Sequence, residues 1–359
     1  MQNYVLWSFI ITLAVISFFE TLLCSGNHMN MVKNAKFHRN IYILICAALI
    51  VLYIFKFEFS GVDDYNYYFN WYLRSYSWKD IVSDSLLLGN DGGYKFIVKL
   101  CKLLGCDYWL QCAVVFIFTL VPIFYVIFKK SNYYIFSVFL YSCFYWNQSF
   151  FLHRIALALS LCFLGWMMID ENRYFKAVII IWFASTVHIS AVIAWGFFII
   201  KRISDRIFWQ YVVGGIILGG MISYRFMPQI AAFYQSGRYL HQMNYNGGLK
   251  LILVMLFVCI FAKAITNKYL KEKTNSFSYK IMCASLPLQM LSMRISVFVR
   301  MVYIYFLHLI IVFPNMLYDM NKKNRLIISI GLLIGGILWV WYIGENLNSI
   351  SWYFQKRIP

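Results

Sequence analysis

Charge is what this sequence has least of. Only 13% of its 359 residues are Asp, Glu, Lys or Arg, while 62% are apolar and 20% aromatic. A soluble domain carries about a quarter charged residues. This chain cannot cover itself with a polar surface, so a soluble enzyme is excluded. It also lacks the polar–apolar alternation over about ten positions that marks a transmembrane barrel. No internal repeat or low-complexity linker divides it, so residues 1–359 read as one membrane domain. The nine cysteines (24, 46, 101, 106, 112, 143, 162, 259 and 283) show no two-residue spacing of a zinc or redox site. Their odd count and scatter argue against a disulfide framework. The first apolar run lacks a basic leader and a small-x-small cleavage site, and it contains Glu20, so it reads as a retained span.

Long apolar runs recur instead. Candidate spans are 4–23, 40–57, 107–128, 133–150, 152–169, 177–200, 209–224, 249–265, 281–297, 299–318 and 326–343. The fold class is therefore all-α: a polytopic helical membrane protein with about 10–12 transmembrane helices.

The net charge of +18 comes from 32 Lys and Arg against 14 acids. Membrane topology accounts for it without nucleic acid, because cytoplasmic loops concentrate Lys and Arg. The basic loops 24–39, 129–130, 263–280 and 322–325 belong inside, which places 58–106 outside. Loops 170–176 and 201–208 are basic as well. Both can lie inside only if 177–200 is a hairpin of two half-helices turning near Thr186, Val187 and His188.

The external segment 58–106 carries Tyr65, Tyr67, Tyr68, Phe69, Trp71, Tyr72 and Tyr76 together with five aspartates. The aromatics suit an interfacial belt or a platform for sugar rings with carboxylates accepting from hydroxyls. Residues 93–104 space Lys95, Lys99 and Lys102 for a helix lying at the interface. A second external loop spans 225–248.

Ionisable groups near membrane depth are costly and need a partner or a wet cavity. Four constellations stand out. Gly61-Val62-Asp63-Asp64-Tyr65 offers paired carboxylates that can cap a helix, bind a hydroxyl or act as a base. His153-Arg154 opens a span, followed by small residues, and the Arg suits phosphate or carboxylate. His188 lies in an otherwise apolar stretch with Thr186 and Ser190. Arg294, Arg300 and Tyr303 lie around the start of a late span, and Arg238-Tyr239 adds a cation in the external loop. All fall on the external side. Arginines, carboxylates and a histidine gathered there suit an anionic, lipid-borne substrate carrying sugars.

The order of these motifs resembles the EpsG family, within the Wzy-type polysaccharide polymerases. It runs Gly-x-Asp-Asp-Tyr, then Asp91-x-Gly93-Tyr94, Arg154 with alanines, His188-x-Ser190-Ala191, Arg238-Tyr239, and Arg300-x-x-Tyr303 before Pro314, across roughly residues 40–315. Asp91 stands where the family usually shows Glu, and Ile155 where it often shows Gln. The resemblance implies a metal-independent, cofactor-free glycosyltransferase of the glycosyltransferase-C-like membrane class. It would transfer a growing glycan from undecaprenyl pyrophosphate to a lipid-linked repeat unit at the external face of the bacterial inner membrane. Asp63, Asp64, His188 and Arg154 would be catalytic, with the base open among Asp63, Asp64 and His188. Tyr65, Asp91, Tyr94, Arg238, Tyr239, Arg294, Arg300 and Tyr303 would bind substrate. Membrane lipids, a chain-length regulator and a flippase would be its partners. A flippase of lipid-linked oligosaccharide and a glycan acyltransferase are the alternative functions.

Overall fold

The computed structural model describes residues 4–23, 28–55, 68–86, 90–145, 149, 152–225, 248–265, 273–293 and 298–342. Among them every regular element is helical. The chain runs α1 (Tyr4–Leu23), α2 (His28–Ile54), α3 (Asn70–Leu73), α4 (Trp78–Leu86), α5 (Gly92–Leu103), α6 (Tyr108–Lys130), α7 (Tyr134–Phe144) and α8 (His153–Asp170). It continues through α9 (Tyr174–Val187), a 3-10 segment (Ile189–Trp195), α10 (Gly196–Arg202), α11 (Asp205–Arg225), α12 (Gly248–Ile265), α13 (Lys273–Ser292), α14 (Val299–Phe306), α15 (Leu309–Tyr318) and α16 (Lys322–Tyr342).

Seven stretches are long and apolar enough to cross a bilayer: Val5–Leu22, Phe37–Ile54, Tyr108–Lys130, His153–Asp170, Asp205–Arg225, Val299–Tyr318 and Lys322–Trp341. Three shorter apolar helices, Tyr134–Phe144, Tyr174–Val187 and Leu251–Ala264, join them. The protein is an all-α, multi-pass membrane protein. Its burial pattern fits lipid as the solvent. Ile11, Val15, Phe19, Leu44, Ile217, Leu218, Ile334 and Leu338 are exposed on the outer helices α1, α2, α11 and α16. Polar side chains such as Gln111, Ser137, Ser160, Ser285 and Gln289 are turned inward. In lipid, outward apolar faces cost nothing, while polar groups seek partners inside the bundle.

Two expected boundaries move. The basic loop 263–280 is helical from Lys273, because Lys280 is buried, donates to the Ile203 carbonyl and pairs with Asp205 at 2.8 Å. The span 299–318 breaks at Leu307 and His308, where backbone bonds shorten to a three-residue spacing (Ile310 N to Leu307 O, 3.0 Å).

The basic loops meet at one end of the bundle. Lys130 pairs with Asp170 at 2.7 Å, and the Asn315 amide donates to the Lys130 carbonyl while accepting from the Asn132 N–H. Arg325 donates to the Tyr133 hydroxyl. At the same end Glu20 caps α7, accepting from the Ile135 and Phe136 N–H groups at 3.0 and 2.7 Å, and it also bonds His38 at 2.5 Å. An acid in the first span thus satisfies helix-terminal donors that lipid would leave orphaned.

The stretch 177–200 turns back on itself. Lys201 at the end of α10 donates to the Ile169 carbonyl and to Asn172 Oδ1, and its ammonium lies 5.1 Å from the Tyr174 ring at the start of α9. Both ends of the hairpin therefore share the end of the bundle that carries Asp170. The turn is made by His188. Its Nδ1 accepts from the Ser190 N–H and its backbone is extended (φ −154°, ψ 131°), which stops α9 and starts the 3-10 return. Tyr305 pins the return limb by donating to the Ile193 carbonyl at 2.8 Å. At about 1.5 Å per residue, α9 reaches only about 21 Å, short of the roughly 30 Å hydrocarbon core.

Cysteines placed at Lys176 and Arg202, both exposed, should label from the same side of sealed membranes with an impermeant maleimide. Labelling from opposite sides would remove the hairpin.

Candidate functional site

The opposite end of the bundle collects most of the described ionisable residues singled out by sequence. α5 starts at Asp91, which adopts a left-handed backbone (φ 55°) and makes no side-chain cap bond. The two glycines that follow explain this strained entry. A Cβ on Gly92 would lie 2.4 Å from the Ser85 backbone nitrogen, and one on Gly93 would lie 2.4 Å from Thr186 Oγ1 and 3.0 Å from the Val187 nitrogen. The start of α5 is thus wedged between the end of α4 and the tip of the hairpin. Only residues without side chains fit there. Freed from capping, the Asp91 carboxylate accepts from Arg154 in the first turn of α8, and the two form an ion pair with side chains 12% and 11% exposed.

Aromatic rings hold this pair. The Arg154 guanidinium lies 4.8 Å from the Trp71 ring centre and 5.9 Å from that of Tyr68. Tyr94, fully buried, packs its ring 5.9 Å from Tyr68 and 6.0 Å from Trp71. His153 stacks on Tyr68 at 4.4 Å and meets the edge of Phe116 at 4.9 Å. Lys95 pairs with Asp84 at 2.6 Å and sits 5.5 Å from the Trp71 ring. Lys99 and Lys102 lie over Trp78 and Tyr72 and donate to the Tyr76 and Arg74 carbonyls. The described part of the aromatic segment is therefore a cation–π frame around Arg154 and α5. Its Tyr68, Trp71, Tyr72 and Trp78 faces are taken by protein groups.

His188 completes the cluster, since Arg154 and Arg300 both lie close enough to act on it electrostatically. Its Nδ1 accepts from the Ser190 N–H at 3.2 Å and lies 2.7 Å from the Ser190 hydroxyl. In the neutral ring the proton then sits on Nε2, leaving an N–H donor. Arg300, half-buried in α14, makes no ion pair among the described residues. Tyr303 meets the edge of Tyr145 at 6.3 Å. Asp91 feels Arg154, Lys95 and Arg300, yet burial outweighs them and pushes its carboxyl up to about 6.

Asp91, Tyr94, Arg154, His188 and Arg300 thus come together. Asp63, Asp64, Tyr65, Arg238, Tyr239 and Arg294 lie outside the described residues, as does the loop 225–248 apart from its ends. Sequence alone offered Arg154 a phosphate or a carboxylate, and the acid on it is Asp91. Trp71 and Gly93 went unrecognised as site residues. The sequence signals for them were the aromatic run that holds Trp71 and the Asp91-x-Gly93-Tyr94 motif that holds Gly93.

The EpsG family model matches residues 41–353. The chain belongs to the EpsG family. This is a Wzy-like polysaccharide polymerase family, and membership suggests a glycosyltransferase-like polymerase role. No curated relative and no solved structure matches the chain. The family match begins within α2, so α1 lies outside it, yet Glu20 ties α1 to α7 of the EpsG region.

Gly93→Ala should cost roughly 1–3 kcal/mol through overpacking and lift α5 away from the hairpin tip. Differential scanning calorimetry on detergent-purified protein would read this as a lower Tm. Adding Thr186→Ala should recover part of the loss, because it removes the nearest clash. An unchanged Tm in Gly93→Ala would mean that the wedge is unimportant.

Proposed function

We propose that this protein polymerises a surface polysaccharide, transferring a growing glycan from undecaprenyl pyrophosphate to the acceptor hydroxyl of a lipid-linked repeat unit. The reading places the site at the external face of the bacterial inner membrane. The observation that carries it is the pairing pattern of two arginines beside His188: Arg154 is held by Asp91, while Arg300 has no ion pair among the described residues. Among the described residues, Arg300 adds positive charge beyond the Arg154–Asp91 and Lys95–Asp84 pairs, and such a charge at the end of the bundle opposite the lysine-rich loops suits an anionic headgroup. The positive-inside rule puts those loops in the cytoplasm.

The chemistry follows from an activated donor. The acceptor oxygen attacks the anomeric carbon, the bond from that carbon to the diphosphate breaks, and the diphosphate leaves with the electron pair. Arg300, Arg154 and the Nε2–H of His188 stabilise the charge that builds on the leaving group. We read the reaction as metal-independent, with the guanidiniums supplying the positive charge. Because Nδ1 of His188 is already an acceptor for Ser190 and Nε2 carries the proton, the acceptor's proton goes to Asp63 or Asp64. A flippase would deliver the repeat unit, and a chain-length regulator would act on the growing chain.

Purified protein incubated with its lipid-linked repeat unit should give a ladder of polymer lengths. Arg154→Ala should abolish the ladder while the protein still inserts, and Arg154→Lys should restore little, since an ammonium cannot reproduce the planar fork. Arg300→Gln should weaken binding of the lipid diphosphate and leave Tm unchanged. A full ladder from Arg154→Lys would reduce Arg154 to a headgroup anchor.

The pH profile has a definite sign. Asp91 is protonated below about 6 and then gives Arg154 no counter-charge, so polymer synthesis should fall as pH drops through that value. The acid limb should vanish in Asp91→Asn, which should be weak at every pH. An identical limb in that variant would assign it to another group.

A further inference from the structure

We infer that Cys101 and Cys106 form a disulfide in the mature protein, closing the corner between α5 and α6. The inference rests on the external placement of the site in the proposed function, because only that compartment favours disulfides.

Backbone geometry brings the two sulfurs together. α5 ends in a Schellman motif. Gly105 takes the left-handed backbone (φ 74°), its N–H donates to the Lys102 carbonyl at 3.0 Å, and the Cys106 N–H donates to the Cys101 carbonyl at 2.9 Å. This motif juxtaposes the side chains at its first and last positions, here Cys101 and Cys106. The two thiols lie within hydrogen-bonding reach of each other. Both are buried, at 3% and 8% exposure. The corner is fixed on either side: the Tyr72 hydroxyl donates to the Cys106 carbonyl at 3.1 Å, and Asp107 caps α6 by accepting from Leu110 N–H at 2.7 Å.

Burial pushes the Cys101 thiol up to about 11, so in the folded protein it is a poor nucleophile. Oxidation therefore belongs to the emerging chain, before the corner packs. A thiolate attacks the disulfide of an oxidising dithiol–disulfide protein, and the second thiol resolves the mixed disulfide. Two protons are lost, two electrons pass to the oxidant, and it leaves as a dithiol. The bond would hold the far end of the helix that positions Asp91. Cys259 and Cys283 also approach each other, but they sit on the apolar helices α12 and α13, out of reach of such an oxidant.

The test counts thiols on the full-length protein in acid-quenched membranes, denatured and alkylated with maleimide-polyethylene glycol. Without reductant, wild type should show two fewer reactive thiols than the nine present in the sequence, and reduction should restore both. The gain should vanish in Cys101→Ser/Cys106→Ser. A Lys79→Cys reporter in that double variant, probed on spheroplasts with an impermeant maleimide, reports the side independently. An externally labelled reporter with all nine wild-type thiols reactive before reduction overturns the disulfide and spares the orientation. A reporter protected from outside overturns the orientation, and the disulfide with it.

Discussion

An arginine at the edge of a bilayer needs a partner, from the fold or from a ligand, and for Arg154 the fold supplies it. Even at the helix centre, where the cost peaks, an unpaired charge costs roughly 2.5–3.5 kcal/mol on insertion scales. Asp91 is that partner, but a carboxylate at the N-cap of α5 has to be brought to α8. The approach requires Gly92 against α4 and Gly93 against the hairpin tip. The hairpin tip in turn exists because the His188 ring takes the Ser190 N–H and ends α9. Removing one member of such a pair strands the other in low dielectric, and the glycine wedge and the re-entrant turn both serve to bring the two together.

The two ends of the bundle use charge differently. At the lysine-rich end, Lys130, Lys201 and Lys280 are satisfied by carboxylates and helix-terminal carbonyls. These bonds stitch α6, α8, α10, α11 and α13 together and close helix ends that lipid could not satisfy. At the site end, one arginine is neutralised and another is left without an ion pair among the described residues. A structural network matches its charges, whereas a site for an anion keeps positive charge in reserve.

The aromatic segment shows how a local composition is reassigned by packing. Tyr68, Trp71 and Tyr72 could have faced sugars or headgroups. A desolvated guanidinium and the lysines of α5 compete for the same ring faces, and cation–π attraction strengthens as water is excluded. Once Arg154 is placed by Asp91, the nearest rings close over it. The lysines expected to face headgroups bend back onto Tyr72 and Trp78 instead.

Properties that belong to one stretch of chain were legible in the sequence. The apolar runs became helices, Lys and Arg marked one end of the bundle, and the two basic loops around 177–200 required a reversal that His188 makes. The helix expected over 93–104 is α5, and the clustering of Arg154, His188 and Arg300 followed from depth alone. Pairings were not legible. Arg154 and Asp91 are 63 residues apart, and no pattern in either segment says that one will find the other rather than Asp63 or Asp64. The proton position on His188 depended on a backbone N–H two residues on, visible only once the turn had formed. The approach of Cys101 to Cys106 needed the left-handed Gly105. Hydropathy and charge bias are sums over single residues, which sequence records directly. Partners, tautomers and close contacts are properties of pairs, and folding chooses those pairs by excluding water and filling space.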